Sequence, residues 1–206
     1  MTYKPSVLAL VMVGLTFSLW TIAMVTPGWL VFYMINELYP QGMEAALSIF
    51  YYTTCFASSI CETESLSSSK EDHSSKQLAK MPHTLEIQLE ACFALIVCGA
   101  GFIKLLLVNM SALPTSSQIV TSGILVFVGV ASEATLVGRM IAANVNIKNA
   151  FTLLLEMSST ELQPYQESYR LDVPYSIIIA SLGVVTGIIS SFVLISFFCR
   201  NRNSPA

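Results

Sequence analysis

The sequence predicts an all-α membrane protein: a bundle of four transmembrane helices with a small extracellular β-sheet formed by the first loop, in a single four-span domain covering residues 1–206. Three observations predict it. The chain is 54% hydrophobic and only 11% charged, where a soluble domain carries about 25% charged residues. Four runs stay apolar for about 20 residues, the length that crosses a bilayer as a helix. One long polar insert, between the first two runs, combines β-forming residues with two cysteines.

The first span, about residues 6–26, is the charge-free run VLALVMVGLTFSLWTIAMV between Lys4 and Pro27. Its core exceeds the roughly 7–15 apolar residues of a signal peptide, and Thr26-Pro27-Gly28-Trp29 lacks a small-x-small cleavage pattern, so an uncleaved span is expected. The second, about 88–109, carries Lys104 near one end, where its stem can snorkel toward headgroups. The third, about 119–143, contains Glu133 and Arg139. The fourth, about 174–199, is YSIIIASLGVVTGIISSFVLISFFC, ending against Arg200 and Arg202.

Lys4, Lys104, Arg200 and Arg202 share one side of this arrangement, which the positive-inside rule makes cytoplasmic. Lys70, Lys76, Lys80, Lys148 and Arg170 fall opposite, the first three in a long loop where the rule counts less. The expectation is a multi-pass protein of the plasma membrane with both termini cytoplasmic. Extracellular loops would cover about 27–86 and 144–173. The sequon Asn109-Met110-Ser111 falls on a cytoplasmic connection and should carry no glycan. The stretch SLSSSKEDHSS, 65–75, has a composition that builds no core.

Cys55 and Cys61 lie six positions apart in this insert, after Leu47–Thr54, a stretch rich in β-formers. Outside the cell they would meet an oxidising compartment, which favours a disulfide pinning a strand pair. Spacing alone leaves two unpaired thiols as the alternative. Cys92 and Cys98, inside the second span, project from different helix faces and read as small buried hydrophobes. Cys199 abuts Arg200 at the end of the last span, where a juxtamembrane cysteine is either a palmitoylation candidate or an idle thiol.

Glu133 stands inside the third span, where an ionised carboxylate costs about 2.5–3.5 kcal/mol on insertion scales. Its functional readings are an ion path or a contact to a partner's membrane helix. The preferred reading is a carboxyl that is protonated, or bonded to a serine or threonine in the bundle. Arg139 points away from it around the helix and is expected to snorkel outward. Gly183, Gly187 and Ser191 repeat every four residues, as do Ala134, Gly138 and Ala142. Such faces let helices approach closely, within the protein's own bundle in preference to a dimer. Trp29 reads as an interfacial anchor. His73 and His83 read as solvated side chains. No nucleophile–base set, phosphate loop or zinc motif is present, so no enzyme, cofactor or metal site is expected. The net charge of −3 offers no basic field for nucleic acid.

Several stretches carry a family resemblance. Thr26-Pro27-Gly28-Trp29 resembles the Pro-x-Trp that follows the first span in the claudin superfamily, which includes claudins, peripheral myelin and epithelial membrane proteins, and calcium-channel gamma subunits. The family's Gly-Leu-Trp-x-x-Cys…Cys signature falls on Phe50, Tyr51, Tyr52, Cys55 and Cys61, with Tyr52 in the tryptophan's place and a shorter cysteine gap. LEIQLEA, 85–91, resembles the start of the family's second span, and SGILVFVG, 122–129, its third. The opening MTYKPSVLALVMVGLTFSLW is similar to divergent claudin-like families of nematodes. The tail, Asn-Ser-Pro-Ala, differs from the Tyr-Val terminus with which claudins bind junctional scaffolds.

The resemblance implies a left-handed four-helix bundle under a small sheet whose strands flank Cys55 and Cys61. It also implies partners: the lipid bilayer, further copies or other claudin-like proteins in cis or in trans, and a role in cell–cell contacts as an adhesive or paracellular barrier component. In a paracellular path, Glu37, Glu44, Glu62, Glu64, Glu71 and Asp72 would bias permeation toward cations. The alternative it implies is an auxiliary or trafficking subunit of a membrane channel or receptor.

Overall fold

The computed structural model describes residues 7–36, 39–56, 60–65, 84–111, 116–157 and 169–202. His73, His83, Glu37, Glu71, Asp72 and the serine-rich stretch beyond Ser65 lie outside these residues. The described chain is mostly helical. It has four long helices, α1 (Val7–Val25), α2 (Thr84–Met110), α3 (Ser116–Met157) and α4 (Tyr175–Arg202), and one small antiparallel sheet. The strands are β1 (Leu30–Asn36), β2 (Tyr39–Leu47), β3 (Tyr51–Phe56), β4 (Ile60–Ser65) and β5 (Tyr169–Asp172).

Each helix is long and apolar enough to cross a membrane, an arrangement compatible with a multi-pass membrane protein. Their outward residues are as oily as their core. Ile96, Leu107, Leu182 and Phe192 are all more than half exposed. Apolar side chains on every face of a helix suit a hydrocarbon surrounding.

The chain forms two compact units. The first comprises residues 1–22, 89–137 and 179–206. Its core is built from Ala9, Val13, Trp20, Cys98, Leu105, Val126, Val130 and Leu194. Small residues set its helix contacts. A methyl added to Gly129 of α3 would lie 2.9 Å from Cys98 Cβ and 3.0 Å from its backbone nitrogen on α2. One added to Gly187 of α4 would lie 2.6 Å from Val130 Cγ2. Phe17 and Phe102 stack with ring centroids 6.2 Å apart, joining α1 to α2.

The second unit comprises residues 23–88 and 138–178 and contains the sheet, in the order β4-β3-β2-β1-β5, antiparallel throughout. One expectation needs correction here. The sheet does not come from the first loop alone: Tyr169–Asp172, from the second connection, pairs with Val31–Met34 as its fifth strand. The third helix continues beyond the span expected at about 119–143, to Met157. That extension contains neither glycine nor proline, so nothing in the backbone stops the helix. What changes near Asn144 is polarity, which marks where a span ends and not where a helix must.

The glycine contacts make an expected contrast. Gly129→Ala should lower stability by about 1–3 kcal/mol through overpacking against the α2 backbone. Gly123→Ala, whose methyl meets nothing within 4 Å, should be neutral or gain up to about 1 kcal/mol of helix propensity. Thermal midpoints in one detergent, measured side by side, check both.

Candidate functional site

Within the second unit the sheet stands on the end of α1. The last carbonyls of a helix have no partner in their own helix, and here side chains from the following loop and sheet supply them. Trp29 Nε1 donates to Ala23 O at 2.8 Å, Ser48 Oγ to Met24 O at 3.2 Å, and the Tyr51 hydroxyl to Val25 O. Trp29 is fully buried. Its backbone N–H donates to Leu47 O at 3.0 Å, and its carbonyl accepts from Asn144 Nδ2 at 3.1 Å. The interfacial-anchor reading of Trp29 therefore needs correction: its indole is enclosed by the protein, and its polar atom caps a helix. Gly28 makes room for the Tyr175 ring, which fills the place a side chain would take. Its N–H donates to Ser176 Oγ at 3.0 Å, and the Ser176 N–H donates to Gly28 O at 3.1 Å.

Cys55 and Cys61 are directly opposed on β3 and β4 and form a disulfide. The antiparallel register sets which residues share each face, because directly paired residues point the same way. Tyr33, Glu44, Cys55 and Cys61 form one cross-strand row, with Arg170 at the matching position of β5. On the same face Thr53 and Thr63 bring their hydroxyls to 3.3 Å. The opposite face carries Leu30, Leu47, Tyr52 and Glu64 in one row, and Phe32, Ala45, Thr54 and Glu62 in the next. The described loop acids are thus divided: Glu44 lies on the disulfide face, Glu62 and Glu64 on the other.

Tyr52 donates its hydroxyl to Glu64. That hydrogen bond, with the nearby negative charge of Glu64 and Glu62, holds the phenol above its ordinary value. Arg139 on α3 does not simply reach outward: its Nη2 lies 3.2 Å from Glu86 Oε2 on α2, in a pair open to the surroundings.

Most of the remaining singled-out residues belong to the first unit. Glu133 is fully buried and has no hydrogen bond to a serine or threonine. Gly183 abuts the Trp20 indole, Gly187 abuts Thr16 and Val130, and Ser191 is buried with Oγ donating to Gly187 O at 2.9 Å. These small residues meet the protein's own helices. On α3, by contrast, Gly138 and Ala142 are exposed. Cys92 is exposed and Cys98 buried, on different faces, so only the second is a core residue. Cys199 is an exposed free thiol near the end of α4. An apolar cavity of about 310 Å³, lined by Gly123, Phe127, Ser191 and Leu194 among others, opens between α3 and α4. No group of three or more His, Cys, Asp or Glu that could hold a metal occurs among the described residues.

Sequence reasoning missed the helix-capping role of Trp29, Ser48 and Tyr51, and the pairing of Arg139 with Glu86. Only the Thr-Pro-Gly-Trp stretch signalled the first of these. No protein-family model matches the chain, and no curated protein matches it.

Two outcomes are expected of the sheet. Replacing Cys55 and Cys61 together by serine should cost about 2 kcal/mol, the chain-entropy value for so short a loop, read as a shift in the denaturant midpoint in detergent. Tyr52 should ionise later than a free phenol. Its hydrogen bond is fully present below the unfolded value of 10.0 and is lost as pH rises through the folded one. Glu64→Gln should bring phenolate absorbance, taken as the difference from Tyr52→Phe, to lower pH.

Proposed function

We propose that this protein is a claudin-like integral membrane protein of cell–cell contacts. In this reading it resides in the plasma membrane with both termini cytoplasmic, and the sheet lies outside the cell. Copies assemble side by side through the bundle, and the sheet meets a neighbouring copy or a neighbouring cell as an adhesive or barrier surface.

One observation carries the reading: the Cys55–Cys61 disulfide between neighbouring strands of a sheet joined to four long apolar helices. Disulfides persist in oxidising compartments, which supports placing the sheet on the far side of the membrane from the cytoplasm. The combination is also the one the claudin resemblance implies around these two cysteines. The acidic pair Glu62 and Glu64, together on one face of the outer strand β4, supports a cation preference for any path lined by that face.

Expression of a tagged chain in a contact-forming epithelial line, in mixed culture with untagged cells, tests the reading. The expected result is enrichment at borders between two expressing cells, with loop cysteines that resist an impermeant thiol reagent until reduced. Uniform surface distribution with stoichiometric recovery of a channel or receptor would replace the contact role with the auxiliary-subunit one. Thiols that label only after permeabilisation would overturn the extracellular placement.

A further inference from the structure

Among the buried side-chain nitrogens and oxygens of the described residues, three have no hydrogen-bond partner: Trp20 Nε1 and both carboxyl oxygens of Glu133. Both residues are 0% exposed. One offers a donor, the other acceptors, and the topology of the first unit brings them to one level.

Gly14 faces Phe102 and Gly99 faces Phe17, so α1 and α2 run antiparallel. Gly101 faces Val126 and Gly129 faces Cys98, so α2 and α3 do likewise. Hence α1 and α3 run in the same direction. Gly187 of α4 meets Thr16 of α1 and Val130 of α3, which fixes one layer. One turn further along α1 and α3 come Trp20 and Glu133. The same step along antiparallel α4 reaches Gly183, which indeed lies against Cδ1 and Nε1 of the Trp20 indole. On α2 the corresponding step from Cys98 reaches Ala94, fully buried. The layer therefore combines two large polar side chains with two of the smallest residues.

Hydroxyl groups nearby do not serve these atoms. Thr16, Ser122, Ser190 and Ser191 each donate to a backbone carbonyl of their own helix, at 2.8–2.9 Å. Thr186 does the same to Gly183 O at 2.9 Å.

We propose that this layer is a hydration site inside the bundle: buried water accepts a hydrogen bond from Trp20 Nε1–H and donates to the Glu133 carboxyl. Water is the smallest guest that both accepts and donates, and buried waters characteristically bridge polar groups that lack protein partners. The site joins α1 to α3 through a polar link and makes Glu133 an internal structural group. It does not depend on the contact role proposed above.

A double-mutant cycle in lipid nanodiscs tests it. Trp20→Phe and Glu133→Met each leave one half of the site unpaired, so each should lower the thermal midpoint. The double variant removes both halves, and its loss should be smaller than the sum of the single losses. Additive losses would overturn the coupling. Infrared difference spectra in ¹⁶O and ¹⁸O water identify the guest: the wild type should show an isotope-sensitive O–H band that both single variants lose. Coupling without such a band would mean a direct indole–carboxyl bond and would overturn the water. Should either variant fail to fold, Glu133→Gln, of equal size, should still shift the band; an unmoved band would overturn the proposal.

Discussion

The end of α1 is where the second unit is decided. A helix that emerges from an apolar run leaves its last carbonyls unpaired, and in or near hydrocarbon no water reliably meets them. Here Ala23, Met24 and Val25 are each met by a side chain from the residues that follow, Trp29, Ser48 and Tyr51. These three donors come from just before β1, just after β2 and the start of β3. Satisfying one helix terminus therefore fixes three strand positions at once. Trp29 does most of this, since it bonds through its indole, its N–H and its carbonyl. Substituting any aromatic that lacks the ring N–H would keep the bulk and leave Ala23 O with the Thr26 hydroxyl alone, at 3.2 Å, a loss of about 0.5–1.5 kcal/mol for one hydrogen bond.

The first unit obeys the same constraint by another route. Its buried hydroxyls turn back to carbonyls one turn away on their own helices, and Thr16 and Thr186 also meet hydroxyl to hydroxyl at 2.9 Å between α1 and α4. Helix association is left to close packing, which the glycines permit. Against that background a fully enclosed glutamate is expensive, about 2.5–3.5 kcal/mol on insertion scales if it is ionised. A chain that tolerates it at the level of an equally enclosed indole N–H places one polar link where hydrocarbon packing alone would specify little.

Much of the architecture was legible because spans are the strongest signal a sequence carries. Four apolar runs, Val7–Val25 through Tyr175–Cys199, correspond to four long helices. The strand pair was legible from the β-formers before Cys55, and the disulfide joins it. What failed to show has a common cause. The fifth strand, Tyr-Arg-Leu-Asp, is four residues long, too short to stand out by alternation, and it exists only because Val31–Met34 offers it a partner. The continuation of α3 past Ala143 was hidden because hydropathy reports solvent and not backbone. Trp29 was misjudged for the same reason: next to a span, a tryptophan that anchors and one that caps look identical until its hydrogen-bond partner is known. Glu133 was legible as an oddity, but its lack of any serine or threonine partner depends on how four helices rotate against each other.

The sheet also constrains how any assembly could use it. β4 and β5 are its outer strands, and outer strands invite pairing with other chains unless something discourages it. On β4 the discouragement is visible: Glu62 and Glu64 alternate with a threonine on an exposed strand, and a second copy laid against it antiparallel or parallel would bring like charges together. The disulfide adds to this by tying the strand to β3 and limiting its freedom to re-register. Contacts made by this sheet are therefore expected through its faces. The two faces are not equivalent, one bearing Glu44 and the disulfide, the other Tyr52 with its acidic pair, so a face-to-face contact has a defined sense. A symmetric pairing of the Tyr52 face would juxtapose Glu62 and Glu64 with their copies and be weakened further at low salt, where charges are least screened. A pairing of unlike faces sets Glu62 and Glu64 opposite the face that carries Glu44 in place of their own copies, and, being heterologous, it closes into a ring or extends into rows according to its rotation.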